Sequence, residues 1–385
     1  MPVPALLLGL AVAAPPAQEP AAPAGCRHCD HRGVVDCPAH EEDLLALEQE
    51  VLFCSAAARC PDCGGALAVP CARCEGGPET AATAARREEA AAWLAREDPL
   101  EAFLGRPLVR IETEHFRFVT DAEGLKRGKK RIDGHRFLHE LAHDAERAAA
   151  LLDGHYRPGP KDYRARMRLW FWNDRATHRE VMRCFLHSGA EGDFKMLGHE
   201  PLFSVWCFDP SFQGDEPSLR SLGVHNGIHM LLSNLFAEIW IGDQGAGWLD
   251  SGAAHWYEEK VFAQVRHYCI DEAAVPPNWN GGVWRAAVRE RLGRRDDPMV
   301  LPTLLTRQTG AMTPEEMALA WSFYDWLVAT VPETLADFLR GAKQREGGRE
   351  LVKRLLGLDL IQAERTWRAW VAETYPAREK KPRRH

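Results

Sequence analysis

Leu222-Gly223-Val224-His225-Asn226-Gly227-Ile228-His229-Met230-Leu231-Leu232 is the stretch on which the reading of this chain turns. It is apolar, free of proline and predicted to be helical. His225 and His229 stand four residues apart, so a helix puts both on one face, spaced to grip a single metal ion. A metal hydrolase places a general base directly after the first of two such histidines. Position 226 is Asn, whose amide has no usable basicity near neutral pH. A second helix is predicted from Gly247-Trp248-Leu249-Asp250-Ser251-Gly252-Ala253-Ala254-His255-Trp256-Tyr257-Glu258. His255 follows Ser251 by one turn on the same face. Asp250 points about 100° away around that helix.

Upstream of these helices the pattern changes. Residues 109–113 alternate, residues 116–120 follow after a short turn, and residues 166–172 and 202–208 also read as strands. Helices are expected at 134–153 and 176–186, and from residue 221 onward the chain is mainly helical, over 221–236, 249–267, 283–292, 314–330, 333–341, 348–356 and 363–373. Strands first and helices afterwards indicate an α+β domain with a helical second half.

This order, with the two quoted stretches, resembles the gluzincin-type, peptidase-MA-like metallopeptidase superfamily over residues 107–376. In that superfamily a sheet precedes a helix bearing His-Glu-x-x-His, and a second helix opens with Trp-Leu-x-Glu-Gly-x-Ala. Trp248, Leu249, Gly252, Ala254 and Glu258 match, with 21 residues between His229 and Ser251. Residues 320–327, and Leu358-Asp359-Leu360 ahead of Trp367-Arg368-Ala369-Trp370, fit as well. The resemblance implies a degenerate metal site of His225, His229 and Ser251, with Ser251 where the third ligand would be Glu. His255 is the candidate for a third nitrogen, and Glu258 is placed to hold a histidine tautomer. Asn226 occupies the general-base position, so peptidase activity is expected to be absent or severely reduced.

The chain has eleven cysteines, eight of them between Cys26 and Cys74. Cys26-x2-Cys29-x7-Cys37-x2-His40 is one unit, and Cys60-x2-Cys63-x7-Cys71-x2-Cys74 repeats its spacing. Two short knuckles make a tetrahedral zinc site, so two structural zinc ions are expected in a module over residues 26–76. The segment resembles the cysteine-rich zinc module of DnaJ-type chaperones. A disulfide framework is the competing reading, against which stand the repeated spacing and His40. Which knuckle partners which is open from sequence. Between the units, residues 41–53 read as a helix and Cys54 as a buried bystander. Residues 79–97 read as a connecting helix.

A complete His139-Glu140-Leu141-Ala142-His143 also occurs. Arg136 before it, Asp144 after it and the lack of a following Glu weigh against a metal helix, with Asp162 the nearest acid at a comparable spacing. Cys184, Cys207 and Cys269 leave an odd, buried thiol. Trp170, Trp172, Trp206, Trp240, Trp248 and Trp256 read mainly as core.

The formal charge of −7 gives no nucleic-acid footprint. The apolar run 5–14, with Ala11-Val12-Ala13 as a cleavage site, reads as an export signal within residues 1–14, although no basic residue precedes it. Residues 15–25 read as a Pro/Ala linker and residues 377–385 as a basic tail. No segment is long enough to span a membrane, and the mature chain is expected in the periplasm or outside the cell. Three function classes follow. The first is a non-catalytic metallopeptidase-like protein that binds a polypeptide or envelope partner. The second is a working zinc peptidase using His139, Glu140 and His143, or His225, His229 and His255. The third is a structural envelope protein assembling through its zinc module.

Overall fold

The computed structural model describes residues 26–30, 32–74, 80–198, 200–206, 216–269, 279–294 and 298–378. The expected export signal, the linker and most of the basic tail lie outside them, as does Cys207.

The cysteine-rich region is built on a two-stranded antiparallel ladder, β1 (Val34–Asp36) against β3 (Ala68–Pro70), with Val35 opposite Val69. Between these strands come α1 (Glu42–Gln49), β2 (Phe53–Cys54) and α2 (Ser55–Ala58). Sequence periodicity carried the first helix to residue 53, but it ends at Gln49. Phe53 and Cys54 are extended because the sheet satisfies their backbone: they pair with Glu112 and Ile111 of β4 (Val109–Glu112), and the Leu52 amide donates to Glu112 O at 2.9 Å. The middle of the module is therefore an edge strand of the main sheet. Helix α3 (Ala81–Leu94) is capped by Thr80, whose hydroxyl accepts from the Thr83 amide. It lays Trp93 on Phe53, with ring centroids 5.4 Å apart, and the short α4 (Pro99–Leu104) follows.

The main sheet has six strands in the order β2-β4-β5-β8-β10-β9, where β5 is Phe116–Thr120, β8 Met167–Trp172, β9 Phe194–Met196 and β10 Leu202–Trp206. The central pairs β5/β8 and β8/β10 are parallel, and the flanking pairs are antiparallel. A parallel neighbour needs a crossover. After a hairpin of β6 (Leu125–Arg127) and β7 (Lys130–Ile132), helix α5 (Gly134–Tyr156) supplies it. Asp133 caps α5 through the Arg136 amide, and its buried face (Phe137, Leu138, Leu141, Ala142, Ala145) packs in one core with Phe118, Leu169 and Phe171. Helix α6 (Arg175–Glu180) and a π-helical turn over Val181–Phe185 precede β9.

The second half is helical: α7 (Glu216–Asn234), α8 (Gly247–Phe262), α9 (Arg285–Leu292), α10 (Leu301–Leu304), α11 (Pro314–Thr330), α12 (Leu335–Lys343), α13 (Gly348–Leu356) and α14 (Leu360–Thr374). The protein is thus a mixed α+β structure. Helix α7 lies between α5 and α8, and α8 between α7 and α11. Every residue of α8 from Gly247 to Glu258 is buried, so this helix shows no polar stripe. Two glycines permit the close approach. A Cβ on Gly223 would stand 2.6 Å from Leu141 Cδ1, and one on Gly252 would stand 2.7 Å from Ala320 O. Among the described residues no helix is long and apolar enough to cross a membrane.

Candidate metal centres

The eight knuckle residues fall into two groups, each with its ligand atoms mutually within 4.8 Å: Cys26, Cys29, Cys71 and Cys74, and Cys37, His40, Cys60 and Cys63. The repeated units are thus crossed, the outer knuckles together and the inner knuckles together. The β1/β3 ladder causes this, because it brings the end of one unit beside the start of the other. Cys29 and Cys74 Sγ lie 3.5 Å apart, Cys26 and Cys71 Sγ 3.9 Å, and Cys63 Sγ lies 3.4 Å from His40 Nε2. These distances exceed a disulfide bond of about 2.05 Å. They suit the edge of about 3.8 Å that a tetrahedron of thiolates about 2.3 Å from an ion would have. A hydrogen bond from Cys74 holds the Cys26 thiol down at about 6. At Cys60, burial is outweighed by the amides of Cys63 and Asp62, leaving it at about 7. Each group can hold one metal ion.

A third group forms where α7 meets α8. His225 and His229 turn Nε2 to Nε2 at 3.2 Å, and the Cys269 thiol completes the triangle, 3.1 Å from His229 Nε2 and 3.4 Å from His225 Nε2. All three are buried. The far side of each imidazole is held by an acid of α8: His225 Nδ1 lies 3.1 Å from Glu258 Oε2, and His229 Nδ1 lies 2.9 Å from Asp250 Oδ1. A carboxylate only accepts, so each Nδ1 carries the hydrogen and each Nε2 presents a lone pair. Two lone pairs aimed at each other across 3.2 Å repel, and the single thiol proton can bridge only one of them. A cation between the three atoms removes the conflict, so the residues fit a metal ion. Burial keeps both imidazoles below their ordinary range and hence neutral, as ligands must be. Burial also pushes the Cys269 thiol up to about 12, so metal uptake here releases its proton.

The remaining predicted residues occupy other places. Ser251 is not part of the triangle: its hydroxyl is 3.2 Å from His255 Nδ1, and Cys269, arriving from beyond α8, stands where a third ligand is needed. His255 Nε2 reaches within 4.0 Å of Cys269 Sγ and 3.1 Å of His267 O. Its Nδ1 meets the Ser251 carbonyl at 2.7 Å, so both ring nitrogens face backbone carbonyls and His255 stands beside the triangle, outside its ligand group. Asn226 folds back on its own helix, donating to Leu222 O at 3.2 Å.

The residues of the second motif do not converge. His139 turns inward under α1, whereas His143 sits at the rim beyond the end of α1, its Nδ1 2.5 Å from Glu50 Oε2. Glu140 is ion-paired with Arg127 and Arg136; burial alone would raise its carboxyl, but these guanidiniums and Arg220 hold it below its usual range. Asp162 accepts from the Gly159 amide at 2.6 Å in a turn. Trp240 is half-buried and donates to Asp250 Oδ2 at 2.9 Å, while Trp170, Trp172, Trp206, Trp248 and Trp256 are core.

No family model matches the chain. No curated protein matches it either. Sequence reasoning missed Cys269 and the role of Asp250. Cys269 lies 40 residues past His229 with no motif around it, so only the fold could pair them. The Asp250 carboxylate lies at an angle that a helical wheel sends away from Ser251, yet that angle is the one facing His229.

Proposed function

We propose that this is an exported zinc protein built on a degenerate metallopeptidase-like domain, which binds a polypeptide or another envelope component and does not hydrolyse it. One observation carries the reading. Both acids next to the His225/His229/Cys269 group are fully engaged as acceptors, and position 226 is an amide. Glu258 Oε1 accepts from Ser221 Oγ at 2.6 Å and the Arg266 amide at 2.8 Å, while Oε2 faces His225. Asp250 Oδ2 accepts from Trp240 and, at 2.8 Å, from Thr309 Oγ1, while Oδ1 faces His229. Hydrolysis needs a base within reach of the attacking water, with a lone pair to receive its proton. Here both carboxylates lie on the Nδ1 sides of the histidines, away from the ligand atoms.

Zinc is the proposed ion in the two knuckle groups because thiolate-rich tetrahedral sets select it over magnesium or calcium. It is also the proposed ion at His225, His229 and Cys269, with His255 packed beside the set. When bound there, the ion ties α7, α8 and the segment after α8 into one unit. Its role is to hold the fold. The proposed export rests on the apolar run at residues 5–14.

The test combines metal content with hydrolysis of an unstructured protein such as casein. Zinc retained by the intact chain, with no cleavage before or after chelator treatment, is the expected result. Cleavage that vanishes with a chelator and in His229→Ala would overturn the proposal.

A further inference from the structure

Helix α5 contains a second pair of histidines four residues apart, His135 and His139, four residues ahead of the motif that draws the eye. They turn Nε2 to Nε2 at 3.1 Å. From the edge strand β2, the buried Cys54 brings its Sγ to 3.3 Å from His135 Nε2. From α1, Glu48 brings Oε1 to 3.1 Å from the same nitrogen. The Cys54, His135 and His139 ligand atoms are mutually within 4.8 Å.

Glu48 supplies an independent observation. It is 1% exposed, and neither of its oxygens has a well-directed hydrogen bond, although Oε2 contacts His40 Nδ1. A buried carboxyl group whose oxygens lack directed donors is costly unless a cation answers it. A protonated His135 does not suffice. Its single Nε2–H would have to serve Cys54 Sγ, His139 Nε2 and Glu48 Oε1, which crowd that one nitrogen from three residues. A metal ion about 2 Å from the Cys54, His135 and His139 ligand atoms would engage all three and answer the carboxylate beside them.

We infer that Cys54, His135 and His139 form a further metal site, of a kind suited to zinc, with the Glu48 carboxylate beside it. One thiolate among the ligands and one carboxylate beside them balance a doubly charged ion, which suits its burial. The site joins two pieces of chain that the sequence separates, β2 of the cysteine-rich region and α5 of the main domain, with Glu48 of α1 alongside. Glu48 also links it to a knuckle group, because its second oxygen contacts the far side of His40, whose Nε2 faces Cys63 at 3.4 Å. The carboxylate would then lie beside one ion and orient a ligand of the next. This arrangement does not depend on whether the His225 group binds metal.

The experiment counts zinc bound to the full chain before and after single substitutions. Cys54→Ser and His139→Gln should each lose one equivalent relative to the unchanged protein, and the double variant should lose the same one equivalent. An unchanged count in folded variants overturns the assignment. If the variants do not fold, anomalous scattering at the zinc edge from crystals of the unchanged protein decides. A peak between Cys54 and His139, separate from those at the knuckles, is expected. Peaks at the knuckles with none at this position overturn it.

Discussion

Asp250 Oδ1 lies 2.9 Å from His229 Nδ1, inside a helix pair where neither residue meets solvent. This contact fixes which imidazole nitrogen points at Cys269. Replacing the acid with its amide keeps the shape but removes the charge that favours the Nδ1–H form. Asp250→Asn is therefore expected to weaken metal binding at this centre by about 10- to 100-fold. Competition against a calibrated chelator measures it, and the knuckle ions should be unaffected.

The crossed knuckles predict which cysteine substitutions share an outcome. Cys26→Ser and Cys71→Ser each remove a ligand from one group, so their combination should cost one metal equivalent. Cys26→Ser combined with Cys37→Ser should cost two, although both residues belong to the same sequence unit. Metal content of the folded double variants distinguishes this from pairing within each unit.

Gly252 allows α8 to touch the backbone of α11. A side chain there meets Ala320 O, which cannot swing aside as a side-chain tip could. Gly252→Val should destabilise the protein by about 2 kcal/mol or more. The same change at the exposed Gly154, where nothing lies within 4 Å, should have little effect on thermal denaturation.

His115 fastens the start of β5 to α5, its Nδ1 2.7 Å from Glu146 and its Nε2 3.0 Å from Asp153. Burial alone would pull this imidazole down, but the hydrogen bonds to Asp153 and Glu146 more than reverse it and raise it from 6.5 to about 10. The folded protein therefore keeps a proton that the unfolded chain gives up. The stabilisation is whole below pH 6.5 and is lost as the pH climbs from there to about 10. His115→Gln should cost about 2 kcal/mol at pH 6 and little at pH 10. Urea denaturation at the two pH values tests the difference.

Local signals carried far in this chain. Proline-bounded and glycine-bounded helices such as Pro314–Thr330 and Gly348–Leu356 are read directly from sequence, and so are the knuckle residues, because their spacing is itself the chemistry. What the sequence withheld was assembly across distance. Phe53 looks like the end of an amphipathic helix, and Cys54 like a bystander, until β4 is present to pair with them. Cys269 and Glu48 carry no motif, and their partners lie far along the chain. For His139 the helical period allows a partner in His135 or in His143, and in the fold its Nε2 meets His135.

The nested order of the knuckles also bears on mechanical load. With an ion in the outer group, tension applied at residue 26 would pass through it to residue 74 and on toward the helix that begins at Ala81. The looped chain between, with its edge strand, is bypassed. A tether pulled from that end would strain those metal–sulfur bonds before the looped chain could be drawn out.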